Sequence, residues 1–217
     1  MTGHAEKAYL PAAGKDWALP LYDPFVKLTG GDAARRTLLE QAAISPGDRI
    51  LDIGCGTGTM VVLIKRLYPG ADVVGIDPDP KALARAEKKV ARARVSVRLD
   101  RGFSDQLPYA DASFDRVLSS LMFHHIDAND REATLRDVRR VLKPGGSFHM
   151  MDLSTSDHSH HGLDHLLHSS HELKDNSDSR ILALMKQAGF AESKKVSDGK
   201  MLFGLLRVGY FQGLSTS

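Results

Sequence analysis

Cysteine is nearly absent from this chain. Cys55 is its only one in 217 residues, which excludes an internal disulfide and any multi-cysteine metal cluster. No apolar run exceeds strand length, so no transmembrane helix is expected. A net excess of one charge sign is missing too. The formal charge of +2 gives no reason by itself to expect a nucleic-acid partner. The first residues lack the basic-then-apolar pattern of a secretory signal, so a cytoplasmic protein is expected.

What the chain does have is a glycine-rich turn between an apolar strand and a helix. Residues 50–58 read Ile-Leu-Asp-Ile-Gly-Cys-Gly-Thr-Gly, and a second apolar run ends in Asp77. Closely spaced glycines after a buried strand let backbone approach a nucleoside-bearing ligand. The dinucleotide fingerprint needs its third glycine at position 59, where Thr59 stands.

Around this turn, strands and helices alternate. Helical spacing opens at Asp32 and runs to the Ser-Pro-Gly-Asp stop at 45–48. Strands are expected at 49–53, 72–76, 95–99, 114–121 and 147–153. Helices are expected at 59–67, 80–93 and 129–142, the last stopped by Lys-Pro-Gly-Gly at 143–146. Such alternation implies a parallel, doubly wound sheet. The pattern then changes: a helix through 188 precedes strands at 190–196 and 201–208, with Ser-Asp-Gly-Lys at 197–200 as a hairpin turn. Residues 1–30 look like an N-terminal cap or arm, and 31–217 like a single domain. Residues 157–171 hold six of the ten histidines, so 157–172 forms a histidine-rich, lid-like insertion. Histidines three or four apart on a helix can share an ion, but no cysteine or paired carboxylate completes a set, and no metal is expected.

In fixed order over roughly residues 46–208, these motifs resemble the class I S-adenosylmethionine-dependent methyltransferases, and within them type 11 and quinone-biosynthesis C-methyltransferases. The resemblance implies a Rossmann-like α/β fold. Its seven-stranded sheet is mostly parallel, closes with a C-terminal antiparallel hairpin, and has strand order 3-2-1-4-5-7-6. It also implies S-adenosylmethionine as cofactor. Asp52, Gly54, Cys55, Gly56 and Gly58 would make its methionine-side loop, Asp77 would receive both ribose hydroxyls, and Pro78 would border adenine. The Gly102-to-Asp115 segment matches the family's Gly-Asp-Ala-x-x-Leu-Pro-Phe-x-Asp-x-Ser-Phe-Asp stretch. It departs where an acid commonly holds the adenine amine: Phe103 and Ser104 stand there, with Asp105 two residues off register. Ser119 ends the fourth strand at the ligand side. His124, with His125 second, is the base if the acceptor needs one. Met122, His124, Trp17 and Tyr22 would face the acceptor.

The resemblance leaves several acceptors open. No Asn-Pro-Pro-Tyr motif or RNA-binding appendage is present, which favours a small molecule over nucleic acid. A lone cysteine disfavours arsenite. The segment from Trp17 to Phe25 loosely resembles the opening of quinone and bacterial phospholipid methyltransferases, where that segment helps meet a membrane-borne acceptor, so peripheral membrane contact is one expectation. A non-catalytic regulator that binds the same cofactor, and a dehydrogenase, are the readings from other classes. Either a monomer or a homodimer fits.

Overall fold

A computed structural model describes residues 30–154 and 176–216. The expected cap at 1–30, with Trp17 and Tyr22, and the histidine-rich 157–172 stretch lie outside these residues apart from Gly30.

The elements run α1 (Gly31–Ala42), β1 (Arg49–Ile53), α2 (Thr59–Leu67), β2 (Asp72–Asp77), α3 (Pro80–Ala93), β3 (Arg98–Arg101), β4 (Phe114–Ser120), a 3-10 turn (Phe123–His125), α4 (Ala128–Val141), β5 (Leu142–Leu153), α5 (Asp178–Gln187), β6 (Glu192–Met201) and β7 (Leu206–Leu214). The seven strands form one sheet in the order β3-β2-β1-β4-β5-β7-β6. The first five strands pair in parallel, whereas β7 runs antiparallel to both β5 and β6. The expected topology is therefore present.

Both faces of the sheet are buried, which is why its central strands read as unbroken apolar runs. Leu51, Ile53, Val74, Ile76, Phe148 and Met150 pack under α4 and α5. Ile50, Val73, Leu118 and Met151 face the other way, against α1 and α2. On α1, Gly31, Arg35, Leu38 and Ala42 keep the three-and-four spacing of one buried stripe. The α3 helix begins with Pro80 in its first turn and an Asp79 cap that accepts from the Lys81 N–H at 2.8 Å. Among the described residues no helix is long and apolar enough to cross a membrane.

Three boundaries differ from expectation. The third strand lies at Arg98–Arg101, three residues later than expected. The Lys-Pro-Gly-Gly segment at 143–146 is not a separate turn: it bulges within β5, between the pairs Phe114↔Leu142 and Arg116↔Ser147. The Ser-Asp-Gly-Lys segment at 197–200 is ladder rather than turn, because each of its residues pairs across to β7. Gly199 accommodates the Tyr210 ring, to which an added Cβ would come within 2.9 Å. The chain reverses instead at Leu202–Gly204.

Polar staples fix the chain at the amino edge, where β1, β4 and β5 begin. Arg140 on α4 donates to the carbonyls of Leu107 and Tyr109 and to Asp111, while Asp137 accepts the Leu107 N–H. Asp115 accepts from the Arg49 N–H and from Lys143, which hold its carboxyl below the usual range against the upward push of burial. The Leu-Pro and Phe-Asp motifs are thus scaffold.

Candidate active site

The carboxyl ends of β1, β2 and β4 bring Asp52, Asp77 and Ser120 around a cavity of about 270 Å³. From β1 come Asp52 and the glycine loop. Gly54 has a φ of 65°, and an added Cβ would lie 2.2 Å from Met122 Cγ, so both the turn and the approach of Met122 require glycine here. The Gly56 N–H donates to Asp77 Oδ2 at 2.8 Å, and the Asp79 N–H donates to Asp77 Oδ1 at 2.9 Å. Asp77 thereby ties the first loop to the start of α3. Burial raises its pKa, and these two N–H donors only partly offset that.

Asp52 is 1% exposed, and burial pushes its carboxyl up to about 8 despite the neighbouring Arg35 guanidinium. Its Oδ2 has no hydrogen-bond partner among the described residues. Arg35 is itself 7% exposed and reaches the same cavity from α1. Opposite lie residues 102–105, with Ser104 Oγ 3.2 Å from Thr134 Oγ1 on α4.

Beyond β4, a 3-10 turn carries two histidines whose ring centroids are 4.0 Å apart. His124 Nδ1 lies 2.6 Å from Asp152 Oδ1 at the end of β5. Asp152 also accepts the N–H groups of Phe123 and Leu153, each at 2.7 Å. Full burial would raise its pKa, but His124 and those donors prevail and lower it, so Asp152 is a carboxylate. His125 is held down to about 4, first by burial and then by His124, and is neutral at pH 7.

A family model for a methyltransferase domain matches residues 50–146. An uncharacterised methyltransferase of Synechocystis, sll0829, is 37% identical over 139 residues, covering 63% of this chain and 63% of that protein. A demethylmenaquinone methyltransferase of Lactobacillus johnsonii is 30% identical over 141 residues, 62% of this chain and 57% of that protein. The matches therefore span less than two thirds of either relative. Among solved structures, the phosphoethanolamine N-methyltransferase 2 of Haemonchus contortus in complex with S-adenosyl-L-methionine superposes with a TM-score of 0.75. It shares 17% identity, over 94% of this chain and 58% of that one, a likeness of fold. Over residues 50–146 in sequence, and across the whole sheet in fold, the chain is similar to class I S-adenosylmethionine-dependent methyltransferases. That similarity favours the methyltransferase reading over the dehydrogenase one.

The cavity fits the cofactor of these similar proteins, S-adenosylmethionine. An orphaned buried acid beside an arginine complements an amino acid's ammonium and carboxylate, and Asp77 retains lone pairs for a diol. Asp52, Gly54, Cys55, Gly56, Asp77, Pro78, Phe103, Ser104, Met122 and His125 all line it. Cys55 does so with its sulfur packed toward Gly75, and burial raises its thiol pKa. Gly58, Ser119 and His124 are not in the lining. Gly58 caps α2 and packs on Ala86, while Ser119 is fully buried and its neighbour Ser120 takes the cavity side.

Sequence reading missed Arg35, Thr134 and Asp152. Arg35 carries a signal, as a charge on the apolar stripe of α1. So does Asp152, as an acid closing an apolar strand just as Asp52 and Asp77 do.

Proposed function

We propose that this protein transfers a methyl group from S-adenosylmethionine to a small-molecule acceptor, with His124 as the base that removes the acceptor's proton. The observation that carries the reading is the strand-end cavity in which Asp52, whose Oδ2 has no hydrogen-bond partner among the described residues, and Arg35 stand beside a glycine loop tied to Asp77. Asp52 takes the ligand's ammonium and Arg35 its carboxylate. Asp77 accepts the ribose hydroxyls, and Pro78, Phe103 and Ser104 border adenine. When bound, the cofactor supplies an electrophilic methyl carbon on a positively charged sulfur, and the acceptor's lone pair takes it as the carbon–sulfur bond breaks.

The protein's part is positioning, exclusion of water and handling of one proton. With Nδ1–H donating to the Asp152 carboxylate, the resulting tautomer of His124 carries its basic lone pair on Nε2. Protonation there is stabilised by Asp152. His125, held to about 4, is too weak a base for this task at pH 7. Its ring serves as a wall beside Met122.

A quinone-type acceptor at a membrane surface is the second reading, favoured by relatives such as the demethylmenaquinone methyltransferase. The deciding experiment is release of S-adenosylhomocysteine across a panel of phenols, reduced quinones, amines and thiols. His124→Gln should lower kcat for the accepted substrate by about a hundredfold and leave S-adenosylhomocysteine affinity unchanged. Tight cofactor binding with no release from any acceptor would mark a regulator. Unaltered kcat in His124→Gln would remove the base.

A further inference from the structure

The hairpin between β6 and β7 ends in an apolar tip framed by two cations. Residues 200–207 read Lys-Met-Leu-Phe-Gly-Leu-Leu-Arg. Leu205 is 59% exposed, and Val196 on the same hairpin is 39% exposed; of the large apolar side chains exposed among the described residues, only Leu67 lies elsewhere. Leu202 holds a left-handed backbone with φ 52°. Glycine or asparagine adopts that conformation at far lower cost than leucine. An apolar side chain kept there under strain points to a use for it.

The charges supply a second, independent observation. Lys200 and Arg207 stand directly opposite each other in the ladder. Like charges at that spacing destabilise a sheet unless an anion neutralises them. The ion pairs of this hairpin among the described residues belong to Lys195, which bonds Asp178 and Asp198. Position matters as well. The Ser154 N–H donates to the Arg207 carbonyl at 3.2 Å, and Leu153 pairs with Val208. The tip therefore rises from the carboxyl end of β5, the edge that carries Asp152 and the cavity.

We propose that this tip docks on an anionic lipid bilayer, with Leu202 and Leu205 entering the acyl boundary and Lys200 and Arg207 on the headgroup phosphates. Apolar residues flanked by cations match that interface in both layers. A second copy of the chain would be a poorer occupant, because a two-fold contact would bring these cations against their own counterparts. Docking requires no turnover, so the proposal stands apart from the methyl-transfer reading.

Sedimentation of the full chain with vesicles tests it. Vesicles of phosphatidylcholine with phosphatidylglycerol should carry the protein down at low salt, and phosphatidylcholine alone should not. Removing both charges with Lys200→Gln and Arg207→Gln should weaken partitioning about twenty-five-fold, roughly fivefold per charge. Leu205→Ser should weaken it about tenfold, with S-adenosylhomocysteine affinity unchanged in both variants, the melting temperature unchanged in Leu205→Ser and raised in the charge variant by relief of the facing cations. A wild-type chain that stays in the supernatant overturns the proposal. Equal partitioning of the variants overturns it too, by moving any lipid contact to another segment. So does loss of a dimer in Leu205→Ser, which would make the tip an interface between copies.

Discussion

Asp52 should make ligand binding depend on pH in a direction opposite to an ordinary carboxylate's. In the empty cavity its carboxyl sits near 8 rather than 3.8, because burial outweighs the pull of Arg35 and Asp77 adds to the upward push. At pH 7 about nine molecules in ten hold it protonated, and ionising it costs about 1.4 kcal/mol for the one unit of difference. An ammonium ligand requires the ionised form. S-adenosylhomocysteine affinity should therefore rise close to tenfold between pH 6 and 7, more slowly toward 8, and fall above that as the ligand's own α-amino group, ordinarily about 8, loses its proton. Calorimetry at pH 7 in buffers of different ionisation enthalpy should show about one proton released on binding. Asp52→Asn should bind more weakly and lose the rise between pH 6 and 8.

The same shift governs folding. A carboxyl whose pKa is raised by folding contributes stability that is complete below 3.8 and is lost as pH rises through about 8. The side-chain amide of Asp52→Asn cannot ionise, so the melting temperature of that variant should gain on the parent progressively from pH 5 to pH 8. A flat affinity profile from pH 6 to 8, with no proton release, would refute both the buried neutral acid and its role toward the ammonium.

Asp77→Ala removes the acceptor for the Gly56 and Asp79 N–H groups along with the ribose contact, and should cost about 2–4 kcal/mol of ligand affinity; unchanged calorimetric affinity would sink the assignment. Gly54→Ala pushes a methyl to 2.2 Å from Met122 Cγ on a φ of 65° and should destabilise by about 1–3 kcal/mol in urea melts. Met122→Ala added to it should recover part of that loss, and no recovery would place the cost in the backbone alone. Asp152→Asn should lower kcat about a hundredfold with S-adenosylhomocysteine affinity intact, and equal turnover would show that His124 needs no carboxylate. Turnover should survive EDTA, since no cysteine or paired carboxylate completes a metal-binding set with the histidines of 157–172; activity lost to chelation and restored by one divalent ion would refute this.

The parts of the fold that were legible in the sequence are those written by local rules. The glycine loop, the Pro80 start of α3 and the strand-end Asp77 each need a particular residue type at a particular place, so spacing alone reveals them. The β6–β7 reversal was misplaced because Ser-Asp-Gly-Lys has turn propensity, yet the ladder to Tyr210 and Val208 rewards extended backbone there. Tertiary pairing overrode the local signal. The active site divides the same way. Three acids, Asp52, Asp77 and Asp152, lie at or near the carboxyl ends of buried strands, and the sequence presents them as equivalents. Packing separates them. Asp52 receives too little help from Arg35 to stay ionised. Asp77 is bridged between two backbone donors and can still accept more. Asp152 is held as a carboxylate by His124 and two N–H groups. The pattern of residues places an acid; the donors around it, brought by α1, the 3-10 turn and β5 from distant parts of the chain, decide whether it binds a cation, organises a loop or orients a base.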